Sequence, residues 1–280
     1  MEGIMAKRYT AKEVVERLRT ELKAGRPLFM PNCGMGLSAK LQEKGGSDLI
    51  CVSPTSWWRL KGQGSLAAFL PYFDCNEAVF EVAREVVPVV KETPLISLSG
   101  PHNPLFEHHV HLKKLWDMNI SGITPMISKL YDESFGEQIE HIGMGWSNEV
   151  EFVKVAHEMN MFTFAYAFSS EEATILAEVG ADVVASHCGS TKGGLTGVKT
   201  GFTLEGAAEL SQRIFDAAKK VKKDVILFAH GGPIEGPKEV EYIFKNTDAQ
   251  GFTGGSAAER MPIEKAVLGI TEAYKNVPLK

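Results

Sequence analysis

Short runs of consecutive apolar residues recur along this chain, and each is followed by a longer segment with helical spacing. The runs fall at residues 28–33, 48–53, 94–99, 120–125, 162–166, 181–187, from 224 onward, and from Gly251. Apolarity that is continuous rather than alternating predicts strands buried on both faces, as in a parallel sheet covered by helices. Helices are predicted after Gly36, over 77–91, 104–117 and 148–159, from Ser170 to Gly180, and over 204–221, 237–246 and 258–275. A further helix precedes the first strand: Thr10 and Glu13 form a capping-box pattern, the segment runs to Lys23, and Gly25-Arg26-Pro27 stops it. Residues 126–145 show no readable period.

Eight strand–helix alternations predict one (β/α)8 TIM barrel over residues 1–280, with 1–26 as an N-terminal helical extension that closes the bottom of the barrel or meets another subunit. The length suits this, since such barrels run to about 250 residues. An open doubly wound sheet is the alternative. The segment 54–76 is too long for an ordinary strand-to-helix connection and carries Trp57, Trp58 and Arg59. It is expected to be a long loop after the second strand that lines the pocket, or else an Ω-loop packed on its own tryptophans.

Charge narrows the partners. A formal net charge of -5 argues against nucleic acid and membrane surfaces and leaves a small anionic metabolite, held locally by glycine amides and a few cations. The first residues lack the apolar core of a secretion signal, and no apolar run could span a bilayer, so a cytoplasmic protein is expected. Cys33, Cys51, Cys75 and Cys188 are spaced as reduced thiols rather than as a disulfide framework or zinc site.

In a barrel, the residues just after the strands converge on one face. Here these include Asn32, Cys33, Ser53, Ser99, Thr124, Tyr166, His187, His230 and Ser256. Gly231-Gly232 and Gly254-Gly255-Ser256 end the last two strands and precede helices, a pattern that brings bare amides to an anion. The alternative is that the glycines only permit tight turns. His187 and His230 end adjacent strands and could serve as acid and base. No strand-end Asp or Glu joins them, so the residues allow a divalent metal, magnesium or a transition metal, without implying one. Cys33 and Cys188 read as buried small side chains, and His108-His109-Val110-His111 as a solvated helix face. Lys192 in a glycine-rich loop, Arg59 and Arg260 are the candidate cations, with Glu264 one turn away as an alternative partner for Arg260.

The run His230-Gly231-Gly232-Pro233-Ile234, then Gly251-Phe252, Gly254, Ser256, Glu259-Arg260, Pro262 and Glu264, resembles the ending of the phosphoenolpyruvate hydrolase-like TIM-barrel proteins. Upstream, Gly34, Gly36-Leu37-Ser38-Ala39-Lys40, Arg59, Gly62, Gly64, Asp74, Asn76, Gly143, Gly145, Glu149, His187, Gly189 and Thr191 fall where that family's motifs stand. Departures lie at Thr55-Ser56-Trp57, Asn103 and His141. The resemblance implies an enzyme acting on a small phosphorylated or carboxylated keto acid by hydrolysis or lyase chemistry. The resemblance carries no catalytic residues with it; from their own positions His187, His230 and Arg59 would be catalytic, and Gly34, Gly36, Gly189, Thr191, Gly231, Gly232, Gly254, Gly255 and Ser256 would hold the anion. A metabolite-sensing barrel without turnover and a metal-dependent oxygenase built on the two histidines are the alternatives. A homo-oligomer is expected.

Overall fold

Thr10 opens the first helix, α1 (Ala11–Lys23), through the expected reciprocal cap. Its hydroxyl accepts the Glu13 N–H, and the Glu13 carboxylate takes the Thr10 N–H at 2.8 Å. Val14 and Leu18 then face into the barrel, where they join Leu28, Met30, Phe162 and Phe228 in the interior cluster, so α1 closes the bottom. The computed structural model describes residues 5–70, 72–130, 133–198 and 201–279. The first four residues of the expected 1–26 extension lie outside that set.

From α1 the chain alternates strand and helix: β1 (Leu28–Cys33), α2 (Gly36–Lys44), β2 (Ile50–Val52), α3 (Pro54–Leu60), α4 (Cys75–Val86), β3 (Leu95–Ser99), α5 (His108–Asp117) and β4 (Gly122–Pro125). It continues with α6 (Glu133–His141), α7 (Trp146–Glu158), β5 (Phe162–Ala167), α8 (Ser170–Glu178), β6 (Val183–His187), α9 (Leu204–Val221), β7 (Ile226–His230), α10 (Pro237–Asn246), β8 (Gly251–Gly254) and α11 (Arg260–Lys275). All eight strands are parallel, and β8 closes on β1 with Leu28 opposite Gly251 and Pro31 opposite Gly254. The (β/α)8 TIM barrel expected from the apolar runs is therefore the fold. Its strands are buried almost throughout, with one apolar cluster inside the barrel and a larger one between strands and helices. No described helix is long and apolar enough to cross a membrane.

Three segments differ from the sequence reading. Residues 54–76 are not an irregular loop: Ser53 caps α3 by accepting the Ser56 N–H, Pro54 occupies its first turn, and a 3₁₀ turn follows at Ser65–Phe69. The unread stretch after the fourth strand holds a 3₁₀ turn (Ser128–Leu130) and α6. The last helix begins at Arg260 rather than at 258, because Ser256–Ala258 forms a separate 3₁₀ turn.

Candidate active site

At the C-terminal ends of the strands lies a cavity of 170 Å³ whose wall includes Asn32, Arg59, Tyr166, His187, His230, Thr191, Gly255 and Ser256. A cavity of about 150 Å³ accepts a ligand the size of benzene, so this one suits a small molecule of roughly ten heavy atoms or fewer. Among the described residues no Asp or Glu lines it.

Parallel register puts His187 directly opposite His230, and their ring centroids stand 4.7 Å apart. Tyr166 packs against both rings at 5.4 and 5.1 Å. The backbone fixes the two imidazoles in opposite tautomers. His187 Nδ1 accepts the Gly189 N–H at 3.1 Å, so the neutral ring carries its proton on Nε2. His230 Nδ1 lies 2.7 Å from the Thr253 carbonyl, which can only accept, so this nitrogen holds the proton and Nε2 keeps its lone pair. Burial pushes His187 well below the usual imidazole range, with the neighbouring His230 acting in the same direction, and burial pulls His230 down to about 4. At neutral pH the site therefore offers one N–H donor and one imidazole base, both uncharged.

Arg59 supplies the charge. It projects from α3, is 6% exposed, and is held by hydroxyls: Nη1 donates to Thr55 at 3.1 Å and to Ser65 at 3.0 Å, and Nη2 to Ser56. Its Nε is buried without a partner. Burial draws the guanidinium down to about 10, opposed by Glu259, so it remains cationic at neutral pH. Glu259, itself buried, takes the Gly34 N–H at 2.9 Å, and burial raises its carboxyl. A buried cation hydrogen-bonded only to neutral hydroxyls, beside a cavity whose described lining has no carboxylate, is an arrangement that an anion would complete.

The remaining expected site residues divide in two. Thr191, Gly255 and Ser256 line the cavity with Arg59 and the histidines. Gly34, Gly36, Gly189, Gly231, Gly232 and Gly254 do not. The Gly34 amide is taken by Glu259, and a Cβ there would lie 2.6 Å from the Ser56 carbonyl carbon. Gly36 packs on the Glu85 carbonyl, and the Gly189 amide is held by His187. Gly231 and Gly232 adopt positive φ with their backbone pressed on the carbonyls of Gly189 and Cys188, and the Gly232 N–H donates to Gly189 at 2.8 Å. The Gly231-Gly232 half of the corner expected to offer glycine amides to an anion thus holds the loops after β6 and β7 together, while its Gly255-Ser256 half lines the cavity with the histidines.

Other expectations also change. Trp57 stacks on Phe73 and Trp58 meets that ring edge-on, neither lining the cavity, which leaves Arg59 as the one member of that trio on its wall. His111 is buried rather than solvated, with Nε2 2.8 Å from Ser99 Oγ. Lys192 binds the Phe202 carbonyl at 2.9 Å, and Arg260 pairs with Glu264 at 2.6 Å. Cys33 and Cys188 are fully buried, and burial raises both thiols, Cys188 to about 11. Sequence reasoning missed the hydroxyl cradle of Arg59, whose signal was the Ser53-Pro54 helix start.

Comparison with known proteins places this architecture. A family profile described as phosphoenolpyruvate hydrolase-like matches residues 13–277. The chain is 37% identical over 270 residues to the ToMV susceptible protein tm-1 of Solanum lycopersicum, and equally so to the ToMV resistance protein Tm-1 of the same plant. Each match takes in 95% of this chain but 36% of the plant protein, so the chain spans about a third of the length of these relatives. Among solved structures, a phosphonopyruvate hydrolase complexed with oxalate and Mg++ superposes with a TM-score of 0.61 at 20% identity, over 94% of this chain and 87% of that one. A phosphoenolpyruvate phosphomutase from Streptomyces platensis subsp. rosaceus gives 0.59 at 14% identity, over 94% and 88%. At these identities the two structures share the fold with this chain.

Proposed function

This chain belongs to the phosphoenolpyruvate hydrolase-like family, and from that premise we propose that it is an enzyme acting on a small phosphorylated or carboxylated keto acid at the C-terminal face of its barrel. The observation that carries the reading is the pair of oppositely protonated, neutral histidines on adjacent strands beside a buried arginine. Arg59 binds the substrate carboxylate. In hydrolysis of an enol phosphate, His230 Nε2 takes the proton of an attacking water as its oxygen bonds to phosphorus. The P–O bond to the enol breaks, its electron pair leaves on the enolate oxygen, and His187 Nε2–H stabilises that charge. The proton held on His230 Nε2 is then passed through water to the enolate carbon, which gives the keto acid and restores the base.

Magnesium, present in the similar phosphonopyruvate hydrolase, does not suit these residues. Mg²⁺ is held through carboxylate oxygens, and among the described residues no Asp or Glu lines the cavity. Among the described residues no group of three or more His, Cys, Asp or Glu is placed to hold a metal. His187 presents a proton rather than a lone pair at Nε2, which also disfavours the oxygenase alternative. The proposed steps therefore run through protein groups alone.

The test is release of pyruvate from phosphoenolpyruvate or phosphonopyruvate, and from oxaloacetate for the lyase branch, by the purified chain. Turnover of one of these supports the proposal. Binding of all three without turnover supports the sensing barrel instead. The pH profile adds a sharper expectation. Because the base form of His230 persists until protonation near pH 4, kcat/KM should stay level below pH 6.5 and fall only as the pH approaches about 4. An acid limb at the unperturbed imidazole value of about 6.5 would remove His230 from the base role.

A further inference from the structure

Asn32 sits one residue before the end of β1. Leu28 and Met30, at the same alternation, belong to the cluster inside the barrel and Cys33 to the one outside, so the Asn32 side chain points inward, where it lines the cavity. Its backbone is held on three sides: Asn32 is paired with Cys51 of β2, Pro31 before it with Gly254 of β8, and its carbonyl accepts Gln42 Nε2 at 3.1 Å. The residue is 6% exposed, yet its Oδ1 has no hydrogen-bond partner. Leaving a buried acceptor unpaired is costly, and a fold that does so at a cavity wall keeps a place for a group that donates.

Of the side-chain atoms buried without a partner among the described residues, two belong to that wall, Asn32 Oδ1 and Arg59 Nε, and Arg59 Nε is a donor. The carboxylate and keto oxygens of the substrate class proposed above only accept, so they complete the arginine and cannot complete the asparagine. Water can. His230 Nε2 keeps a lone pair for one hydrogen of the attacking water, and the second hydrogen needs an acceptor elsewhere. β8 alone separates the strands that carry the two groups: it pairs with β7 at His230–Thr253 and with β1 at Pro31–Gly254. None of its four residues lines the cavity, so no β8 side chain stands between Asn32 and His230 on that side. A water needs only about 15 Å³ of the 170 Å³ available.

We propose, resting on the hydrolytic reaction above, that Asn32 Oδ1 and His230 Nε2 together hold the attacking water, so that Asn32 aims the nucleophile. One hydrogen passes to His230 as the oxygen bonds to phosphorus. The other stays on that oxygen, held by Asn32, and leaves with the phosphate as the bond to the enolate oxygen breaks. With both hydrogens held, a lone pair of the water is turned toward phosphorus. An aspartate would orient water equally well, but its charge would repel the anion and compete for Arg59, whose guanidinium nitrogens stand 3.6 Å from where a Cβ on Gly255 would be. The amide keeps the acceptor and leaves the wall uncharged.

Steady-state kinetics of pyruvate release separates the outcomes. Asn32→Ala should lower kcat about 100-fold with KM unchanged, because misplacing the water does not touch substrate binding. Asn32→Asp retains an oxygen acceptor, so its kcat should stay within about tenfold of the parent while KM rises about tenfold or more from charge repulsion. Both should fold, since neither takes away a bond that the protein makes through Oδ1, and circular dichroism checks this. In crystals of the parent chain with oxalate, a water within about 3.2 Å of both Asn32 Oδ1 and His230 Nε2 is expected. A parent chain that turns over neither phosphoenolpyruvate nor phosphonopyruvate would remove the hydrolytic reaction and with it the role of Asn32. Hydrolysis by the parent with kcat retained in Asn32→Ala, or an oxalate complex in which Asn32 Oδ1 meets no water, would overturn the role of Asn32 alone.

Discussion

His230→Asn is expected to keep the barrel folded and to lower turnover about 100-fold or more, the usual scale for losing a general base. The ring is anchored by one bond, from Nδ1–H to the Thr253 carbonyl, and an asparagine amide can replace that donor while presenting no basic nitrogen to the cavity. Affinity for a substrate analogue such as oxalate should change little. His187→Phe removes the Nε2–H that faces a developing oxyanion and should cost on the order of 100-fold in kcat by the same assay. The proposed mechanism gives the two rings one step, so the double variant should lose less than the product of the single losses. Steady-state kinetics with thermal melts of each variant checks this. Parent-level turnover in the double variant would make both histidines structural.

Arg59→Met should weaken binding of the anionic substrate on the order of 100-fold, because losing one member of a buried, hydrogen-bonded charge pair costs about 2–5 kcal/mol. The change removes the cation from a wall with no carboxylate among its described residues. It also takes the counter-charge from the buried Glu259 and a donor from Thr55, Ser56 and Ser65, so the melting temperature should fall. Arg59→Lys should recover only part of the loss, since an ammonium cannot reproduce the planar fork. Calorimetric titration with oxalate separates the cases: equal affinity in parent and methionine variant would take Arg59 out of the site.

Strand placement was legible because continuous apolar runs and glycine stops are local signals, and the strand-end rule brought His187, His230, Asn32, Tyr166 and Ser256 to one face. The register that sets the two imidazoles opposite each other followed from adjacent strands ending at the same height. What stayed hidden was long-range. Gly34 and Gly232 look like free amides in sequence, and only the fold reveals that Glu259, 225 residues away, and the neighbouring loop take them. The tautomers depend on a carbonyl in β8 and an amide after β6, neither of which leaves a trace in residue identity. α11 was readable as a helix, but the anchoring of its first turn by Arg260 on the Gly193 carbonyl, 67 residues away, was not.

The central claim is that a small anion binds between Arg59 and the two histidines. A crystal structure of the chain grown with oxalate tests it most directly. The account predicts oxalate inside the 170 Å³ cavity, one carboxylate on Arg59 and an oxygen within hydrogen-bond reach of His187 Nε2. Oxalate bound elsewhere on the barrel, at the Gly231–Gly232 turn for example, with the cavity holding only water, would contradict it.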